Sequence, residues 1–224
     1  LGTPDQQPFS LRIGAIESIL HTWLIPMVDT LKRSSPLINF ELTVETSPNL
    51  VDQIRRGSLD LIFSALPSQE EGLVNETLSP FEMVFVGAGT MIGLPRLELD
   101  KLLTYDIMTF QRGSHPHVSL INALHSAGID DKHVHTISSI SALALLASSG
   151  FGIATLPKAV AQRLAKNTPI CTLETTLPLA PLPLHASYWS YPTNSALKQT
   201  IQAAVAFAQN YGSSDSPMEA NRLT

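Results

Sequence analysis

The chain has 224 residues, of which 44% are hydrophobic, and its formal net charge is −5 at pH 7. This length suits one large domain or two lobes of about a hundred residues each. The negative charge argues against nucleic-acid binding by this chain itself, because DNA is held by clusters of Lys and Arg. No apolar run approaches the roughly 18 residues that a membrane span needs, so we expect no membrane partner. One cysteine excludes an internal disulfide and fits a cytoplasmic location.

The first strongly patterned stretch is a strand that turns directly into a helix. After a polar lead-in over 1–9, which we interpret as a linker remnant, apolar residues alternate over 10–16 and predict a strand. A helical pattern follows over 18–33 and begins at Ser18, where the first backbone N–H groups favour an anion. Pro26 lies inside this helix and removes one hydrogen bond, which predicts a bend.

The remaining elements alternate between strand and helix. We predict strands over 38–45, 59–65, 72–80, 81–87, 106–110, 134–138, 152–156 and 185–190. We predict helices over 49–56, 114–128, 142–149, 157–165 and 194–211, with a loop over 168–183 and a disordered tail over 212–224. The β-α-β-α-β opening implies a parallel sheet with right-handed crossovers. Small residues over 87–89 are a candidate hinge.

Four strand-to-helix turns, two from each half of the chain, carry serines that are candidate ligand contacts. They lie at 16–18, 46–47, 111–117 and 138–141. Ligands of open α/β sheets bind beyond the carboxyl ends of strands, at such helix starts. Backbone N–H groups and hydroxyls there would form a site for a carboxylate. The alternative is that these serines only cap their helices, which is their commonest role.

The candidate effector-binding residues come from these turns and from the end of the third strand. They are Ser18, Ser47, Ser64, Leu66, Arg112, Ser114, His117, Ser139 and Ile140. Arg112 is the one cation at the turns and could pair with a carboxylate through two hydrogen bonds, although a solvated loop arginine is the alternative. Ser64, Leu66 and Ile140 are expected to form walls. Glu17 would repel an anion unless its side chain points away.

The sequence gives no pattern that supports catalysis, a metal or a cofactor. Five of the seven histidines lie between His115 and His135, but their spacing does not converge with carboxylates or Cys171 as metal ligands would. We find no nucleophile elbow, zinc-protease motif or phosphate loop. Cys171 lies in an apolar stretch, which favours an inert thiol over a nucleophile. We therefore expect no enzyme activity.

Three motifs in a fixed order resemble a known family. The run Leu-Arg-Ile-Gly-Ala at 11–15 precedes a helix that bears Leu-Ile-Pro at 24–26, and Gly-Ser-Leu-Asp-Leu follows at 57–61. The stretch 148–157 looks like the pattern Gly-x-Gly-Ile-x-x-Leu-Pro. Together they resemble the effector-binding domain of LysR-type transcriptional regulators over 11–211.

The resemblance implies an α/β fold with two Rossmann-like lobes joined by a hinge, as in type 2 periplasmic binding proteins. Lobe I would comprise 10–87 plus 189–211, and lobe II 88–188. In this family the first two turns commonly contact the effector, at positions that match Ser18 and Ser47.

The resemblance also implies partners. A small organic effector, expected to be a carboxylate, would lie between the lobes, and DNA would be bound only through a winged helix-turn-helix absent from this chain. Homodimers or homotetramers are usual, and the apolar stripe of Leu20, Leu24, Met27 and Leu31 could serve both the core and a partner. The rival interpretations are an extracytoplasmic solute-binding protein and an enzyme of the same bilobal fold.

Overall fold

A computed structural model describes residues 9–94, 96–190 and 195–212. Phe9 is the first residue of a strand and Gly212 the last residue of a helix. The rest of the predicted linker over 1–9 and of the predicted disordered tail over 212–224 lies outside the described residues.

The described strands form two five-stranded sheets. They are β1 (Phe9–Ala15), β2 (Ile38–Val44), β3 (Leu61–Ser64), β4 (Leu73–Phe81), β5 (Met83–Ala88), β6 (Ile107–Thr109), β7 (Val134–Thr136), β8 (Ile153–Pro157), β9 (Ile170–Leu173) and β10 (Leu182–Trp189). The first sheet has the order β2-β1-β3-β10-β4 and the second the order β7-β6-β8-β5-β9. Each contains three parallel strands, followed by an antiparallel strand that comes from elsewhere in the chain.

Helices pack on both sheets. They are α1 (Glu17–Ile19), α2 (Ile25–Ser34), α3 (Ser47–Arg55), α4 (Leu99–Leu102), α5 (His115–Ser126), α6 (Ile140–Ser148), α7 (Lys158–Leu164) and α8 (Ser195–Gly212). We call the first sheet with α1–α3 and α8 the first lobe, and the second sheet with α4–α7 the second lobe. Each lobe has its own core of buried apolar side chains. No helix in the described part of the chain is long and apolar enough to cross a membrane.

The chain passes between the sheets earlier than the predicted lobe boundaries. Only Glu82 lies between β4, in the first sheet, and β5, in the second. Strand β5 thus belongs to the second lobe, although the sequence analysis assigned 10–87 to lobe I. Likewise β10 pairs in the first sheet although 88–188 was assigned to lobe II. The predicted boundaries followed local composition, whereas sheet membership depends on hydrogen bonds between distant segments.

Two other local predictions are wrong for the same reason. Gly87 and Gly89 do not form a link between the lobes, because Gly87 lies within β5 and the N–H of Gly89 donates to the carbonyl of Pro169 at 2.7 Å. The proline-rich segment 168–183 contains β9, which pairs with β5. None of its prolines lies within β9, although Pro183 is the second residue of β10, which begins at the end of this segment.

The first helix is interrupted, as Pro26 predicts, and the interruption involves the other lobe. A π-helical turn over Leu20–Leu24 separates α1 from α2. Pro26 has no N–H to donate to the carbonyl of Thr22, four residues earlier. Arg163, on α7 of the second lobe, donates to that carbonyl at 2.8 Å. A side chain from the second lobe therefore satisfies an acceptor in the first.

The apolar stripe on this helix packs against its own lobe. Leu24, Met27 and Leu31 are at most 5% exposed and belong to the first-lobe core, where Trp23 meets Phe63 edge to face. These three positions are not available to a partner, contrary to the sequence prediction that one stripe could serve both. Helix α8 packs against α2 and the π-helical turn, and the three residues share one buried cluster with residues of the sheet, whereas Leu20 is only partly buried beside it.

Candidate functional site

A cavity of about 690 Å³ opens between the two lobes, and residues from all four predicted turns line it. Its lining residues come from both sheets and the helix starts beside them. They are Ile16, Glu17, Ser18, Val44, Glu45, Thr46, Ser47, Pro48, Ala65, Leu66, Phe110, Gln111, Arg112, Gly113, Ser114, His115, Pro116, Val118, Ser138 and Leu182. The volume suits a small organic molecule.

Five of the nine candidate residues line this cavity. They are Ser18, Ser47, Leu66, Arg112 and Ser114. The other four, Ser64, His117, Ser139 and Ile140, are not among its lining residues.

Local contacts account for these four positions. Ser64 is fully buried and donates its hydroxyl to the carbonyl of Leu66 at 2.6 Å. The Nδ1 atom of His117 accepts from the N–H of Gly113 at 3.4 Å. Ser139 and Ile140 contact Glu17.

In the first lobe, the two helix starts that line the cavity, those of α1 and α3, have no side-chain cap among the described residues. The N-cap residues Ile16 and Thr46 make no capping bond to α1 or α3. Ser47 uses its Oγ to accept from the N–H of Ala65 at 3.0 Å, which ties the start of α3 to the turn after β3. Ser18 is 2% exposed, and its hydroxyl makes no hydrogen bond to the part of the chain described. Neither serine is a helix cap.

In the second lobe, the corresponding serines do cap their helices. Ser114 Oγ accepts from the N–H of His117 at 3.4 Å, at the start of α5. Ser139 Oγ accepts from the N–H of Ala142 at 3.4 Å, at the start of α6. The capping alternative raised from the sequence therefore holds for this lobe.

The side chain of Glu17, a first-lobe residue, forms hydrogen bonds with the second lobe. Its Oε2 accepts from the backbone N–H of Ile140 at 3.0 Å, and its Oε1 lies 3.5 Å from Ser139 Oγ and 3.4 Å from His21 Nε2. Burial acts to raise the pKa of Glu17, but the bonds from His21 and Ile140 outweigh burial and lower the pKa below its ordinary value of 4.5. The carboxylate is therefore ionised at neutral pH.

The remaining charge at the cavity comes from Arg112 and Glu45. Arg112 is exposed and forms no salt bridge within the described residues. Burial lowers the pKa of His115, and burial together with the charge of Arg112 lowers the pKa of His117, so both imidazoles are neutral at pH 7. The Nδ1 atom of His115 is buried and has no partner among the described residues.

Several cavity residues were not predicted. Thr46, Gln111, His115 and Ser138 belong to the turns that the sequence identified, and Glu45 directly precedes one of them, but only neighbours of these residues were chosen as candidates. Their position in a turn was the available signal. The direction of each side chain depends on how the two lobes meet, which a local pattern does not contain.

The described residues show no group of three or more His, Cys, Asp or Glu that could hold a metal ion. His133 and His135 instead lie beside Asp106 at the edge of the second sheet, at 3.8 and 3.2 Å. The Cys171 thiol donates to the carbonyl of Ala88 at 3.2 Å, and burial raises its pKa. Cys171 is thus protonated at neutral pH and a poor nucleophile.

Structural comparison identifies similar folds in regulatory proteins. The BenM effector-binding domain with its effector benzoate matches with a TM-score of 0.76 and 14% identity, covering 94% of this chain and 97% of that chain. The effector-binding domain of QuiR in complex with shikimate matches with a TM-score of 0.74 and 16% identity, covering 90% of this chain and 98% of that one. At these identities the likeness shows the fold, which is the predicted two-lobed α/β class.

Sequence comparison adds the family. The HTH-type transcriptional regulator DgdR of Burkholderia cepacia is 23% identical over 147 residues, which are 66% of this chain. The chain spans 47% of the length of that curated relative. The curated relative is an HTH-type transcriptional regulator, and the two structural neighbours are effector-binding domains. The family profile described as LysR substrate binding domain matches residues 5–213. The chain therefore belongs to the LysR substrate-binding domain family, as its sequence motifs predicted.

Proposed function

We propose that the chain is the ligand-sensing and oligomerisation domain of a cytoplasmic bacterial LysR-type transcriptional regulator, and that its effector is a small organic carboxylate. The observation that carries this proposal is the interlobe cavity, where, among the described residues, no side chain caps the start of α3 and none pairs with Arg112. Benzoate and shikimate, the ligands of the two structural neighbours, are both carboxylates. This agreement supports the chemical class.

The first-lobe turns supply suitable donors. At the start of α3, the N–H groups of Ser47 and Asn49 have no partner within the helix, whereas Pro48 between them has no N–H. The helix dipole favours an anion there. The oxygen of Ser47 already accepts a bond from Ala65, so its own O–H is free to donate to a ligand. Ser18 offers a second hydroxyl, and Arg112 a full positive charge that can bind a carboxylate through two bonds.

The ligand would regulate the protein by shifting the population between different arrangements of the two lobes. A ligand that contacts both lobes favours the arrangement in which both sets of contacts form. In an oligomer this would change the spacing of DNA-binding domains. We place those domains in a winged helix-turn-helix outside this chain, a proposal supported by the helix-turn-helix class of the relative DgdR. The assembly would be a homodimer or homotetramer.

The effector hypothesis is tested with matched acids and amides. A thermal-shift screen would pair each small carboxylic acid with its primary amide, because only the acid carries the anion. Hits would be measured by calorimetry on the parent, Ser18→Ala, Ser47→Ala and, as a control outside the cavity, Ser34→Ala. Loss of one donor to a buried oxygen costs about 1–3 kcal/mol, or roughly 5- to 150-fold in affinity. If both cavity variants bind a confirmed acid as tightly as the parent, the proposed site is wrong.

The assembly is tested separately from the ligand. We expect sedimentation equilibrium at micromolar concentration to give a dimer or a tetramer, and a monomer of 24.3 kDa would contradict this. We also expect no sequence-specific DNA binding by this chain alone, because its net charge is −5. Sequence-dependent, salt-resistant shifts in a mobility assay would contradict that expectation.

A further inference from the structure

We propose that Glu17 is a built-in anion that occupies the start of α6, joins the two lobes there, and excludes an anionic group of a ligand from that end of the cavity. The exclusion rests on the proposed carboxylate effector, whereas the interlobe contact does not. The ligand anion would then be left with Arg112 and with the Ser47 and Asn49 N–H groups of α3, beside which Glu45 already binds the Thr46 N–H.

The geometry shows a carboxylate already bound at α6. Glu17 lies on the first turn of the first lobe, 123 residues before Ile140, yet its Oε2 accepts from the Ile140 N–H at 3.0 Å. Ser139 Oγ lies 3.5 Å from the other carboxylate oxygen. The Ile140 side chain is 1% exposed, so the backbone that presents this N–H is fixed by the second-lobe core. A helix of nine residues begins at this point.

The donors at the start of α6 are therefore taken. At the start of α3, Glu45 accepts from the Thr46 N–H and Pro48 has no N–H, but the N–H groups of Ser47 and Asn49 have no partner among the described residues. The Ile140 N–H binds Glu17, and the Ala142 N–H binds the Ser139 cap. A ligand anion that approached them would displace one of these partners and would meet the ionised carboxylate of Glu17. Repulsion between like charges in a half-buried site disfavours that arrangement.

A second contact on the same helical run supports a role in holding the lobes together. Arg163 of the second lobe donates to the Thr22 carbonyl, one turn beyond Glu17. The run from Glu17 to Ser34 is thus bonded to the second lobe at its first residue and again beside the π-helical turn. The contact made by Glu17 lies at the cavity, whereas the contact between Arg163 and Thr22 lies away from it.

The test uses formate as the probe anion and backbone amide NMR signals as the reporters. Parent, Glu17→Ala and Glu17→Gln would be titrated with sodium formate against equal sodium chloride. Glu45→Gln is the matched control, because Glu45 also lines the cavity but bonds only to Thr46 and Asn49 within its own lobe. The Ile140 amide reports on α6, and the Ser47 amide reports on the proposed effector site.

In Glu17→Ala we expect formate to shift the Ile140 amide saturably, with an affinity at least about tenfold higher than in the parent. In parent and Glu45→Gln the Ile140 amide should not respond. Equal responses in parent and Glu17→Ala would overturn the proposal. A parent Ser47 amide that ignores formate counts against the proposed effector class and leaves the Ile140 result to decide this inference.

Glu17→Gln keeps the test decisive if the alanine variant does not fold. Its amide oxygen can still accept from Ile140 but carries no charge, so the hydrogen bond weakens. We expect the Ile140 amide proton to move upfield without any ligand, while Glu45→Gln leaves it in place. An Ile140 signal identical to that of the parent would show that Glu17 does not occupy this position.

Discussion

The helix starts of the two lobes look alike in sequence but differ in what their serines contact. In the first lobe, Ser18 and Ser47 leave their helices without a side-chain cap. In the second lobe, Ser114 and Ser139 cap α5 and α6, and Glu17 also fills the start of α6. Donors that are already satisfied by the protein have little to offer a ligand. We therefore propose that the first-lobe turns recognise the ligand, with Arg112 as the contribution of the second lobe.

Ser47→Ala is expected to give the largest loss of stability among the four serines. The N–H of Ala65, a residue that is 7% exposed, would lose its acceptor at 3.0 Å. A buried donor without a partner costs about 1–3 kcal/mol. Urea denaturation measures this cost, with Thr46→Ala as the neighbouring control because Thr46 makes no capping bond. Equal stability of Ser47→Ala and the parent would mean that the contact to Ala65 is unimportant.

Ser114→Ala and Ser139→Ala should each lower the free energy of unfolding by about 0.5–1 kcal/mol, the lower part of the range for lost N-caps. The lower part is expected because both capping distances are 3.4 Å, which is long for a hydrogen bond to an N–H. The same urea series measures both variants, with Ser34→Ala as an exposed control. The comparison between lobes fails if either cap variant is as stable as that control.

Glu17 makes the interlobe contact depend on pH. Its folded-state pKa is lowered, so the stability it contributes is complete above its ordinary value of 4.5 and is lost as pH falls below that value. The difference in unfolding free energy between parent and Glu17→Gln should therefore be greatest near neutral pH and shrink under acid. Denaturation at several pH values measures it. A difference that grew on acidification would contradict the lowered pKa.

Ser18→Ala is expected to have the smallest effect on stability, within about 0.5 kcal/mol and of either sign. Its buried hydroxyl has no hydrogen-bond partner among the described residues, so its removal leaves no other group unsatisfied. Thermal unfolding of the ligand-free protein tests this. A loss comparable to that of Ser47→Ala would show that Ser18 has a structural role that its contacts do not reveal.

The sequence by itself determined the features that depend on nearby residues. Alternating apolar residues identified β1, and helical spacing identified the run that follows it. The helix predicted over 49–56 corresponds to α3, and Gly57, which follows it, has a φ of 73°, a conformation that favours glycine. The motifs around 11–15, 57–61 and 148–157 were enough to indicate the family. These patterns survive because turns, caps and helix faces involve residues only a few positions apart.

Only the tertiary structure decided the features that join distant parts of the chain. It placed β5 and β10 in opposite sheets, and it brought Glu17 to Ile140 and Arg163 to Thr22, pairs that are 123 and 141 residues apart. It also separated the serines that cap from those that do not. A local pattern predicts that a serine hydroxyl lies at a helix start. The packing of the two lobes then determines which backbone group is close enough to form a hydrogen bond with that hydroxyl.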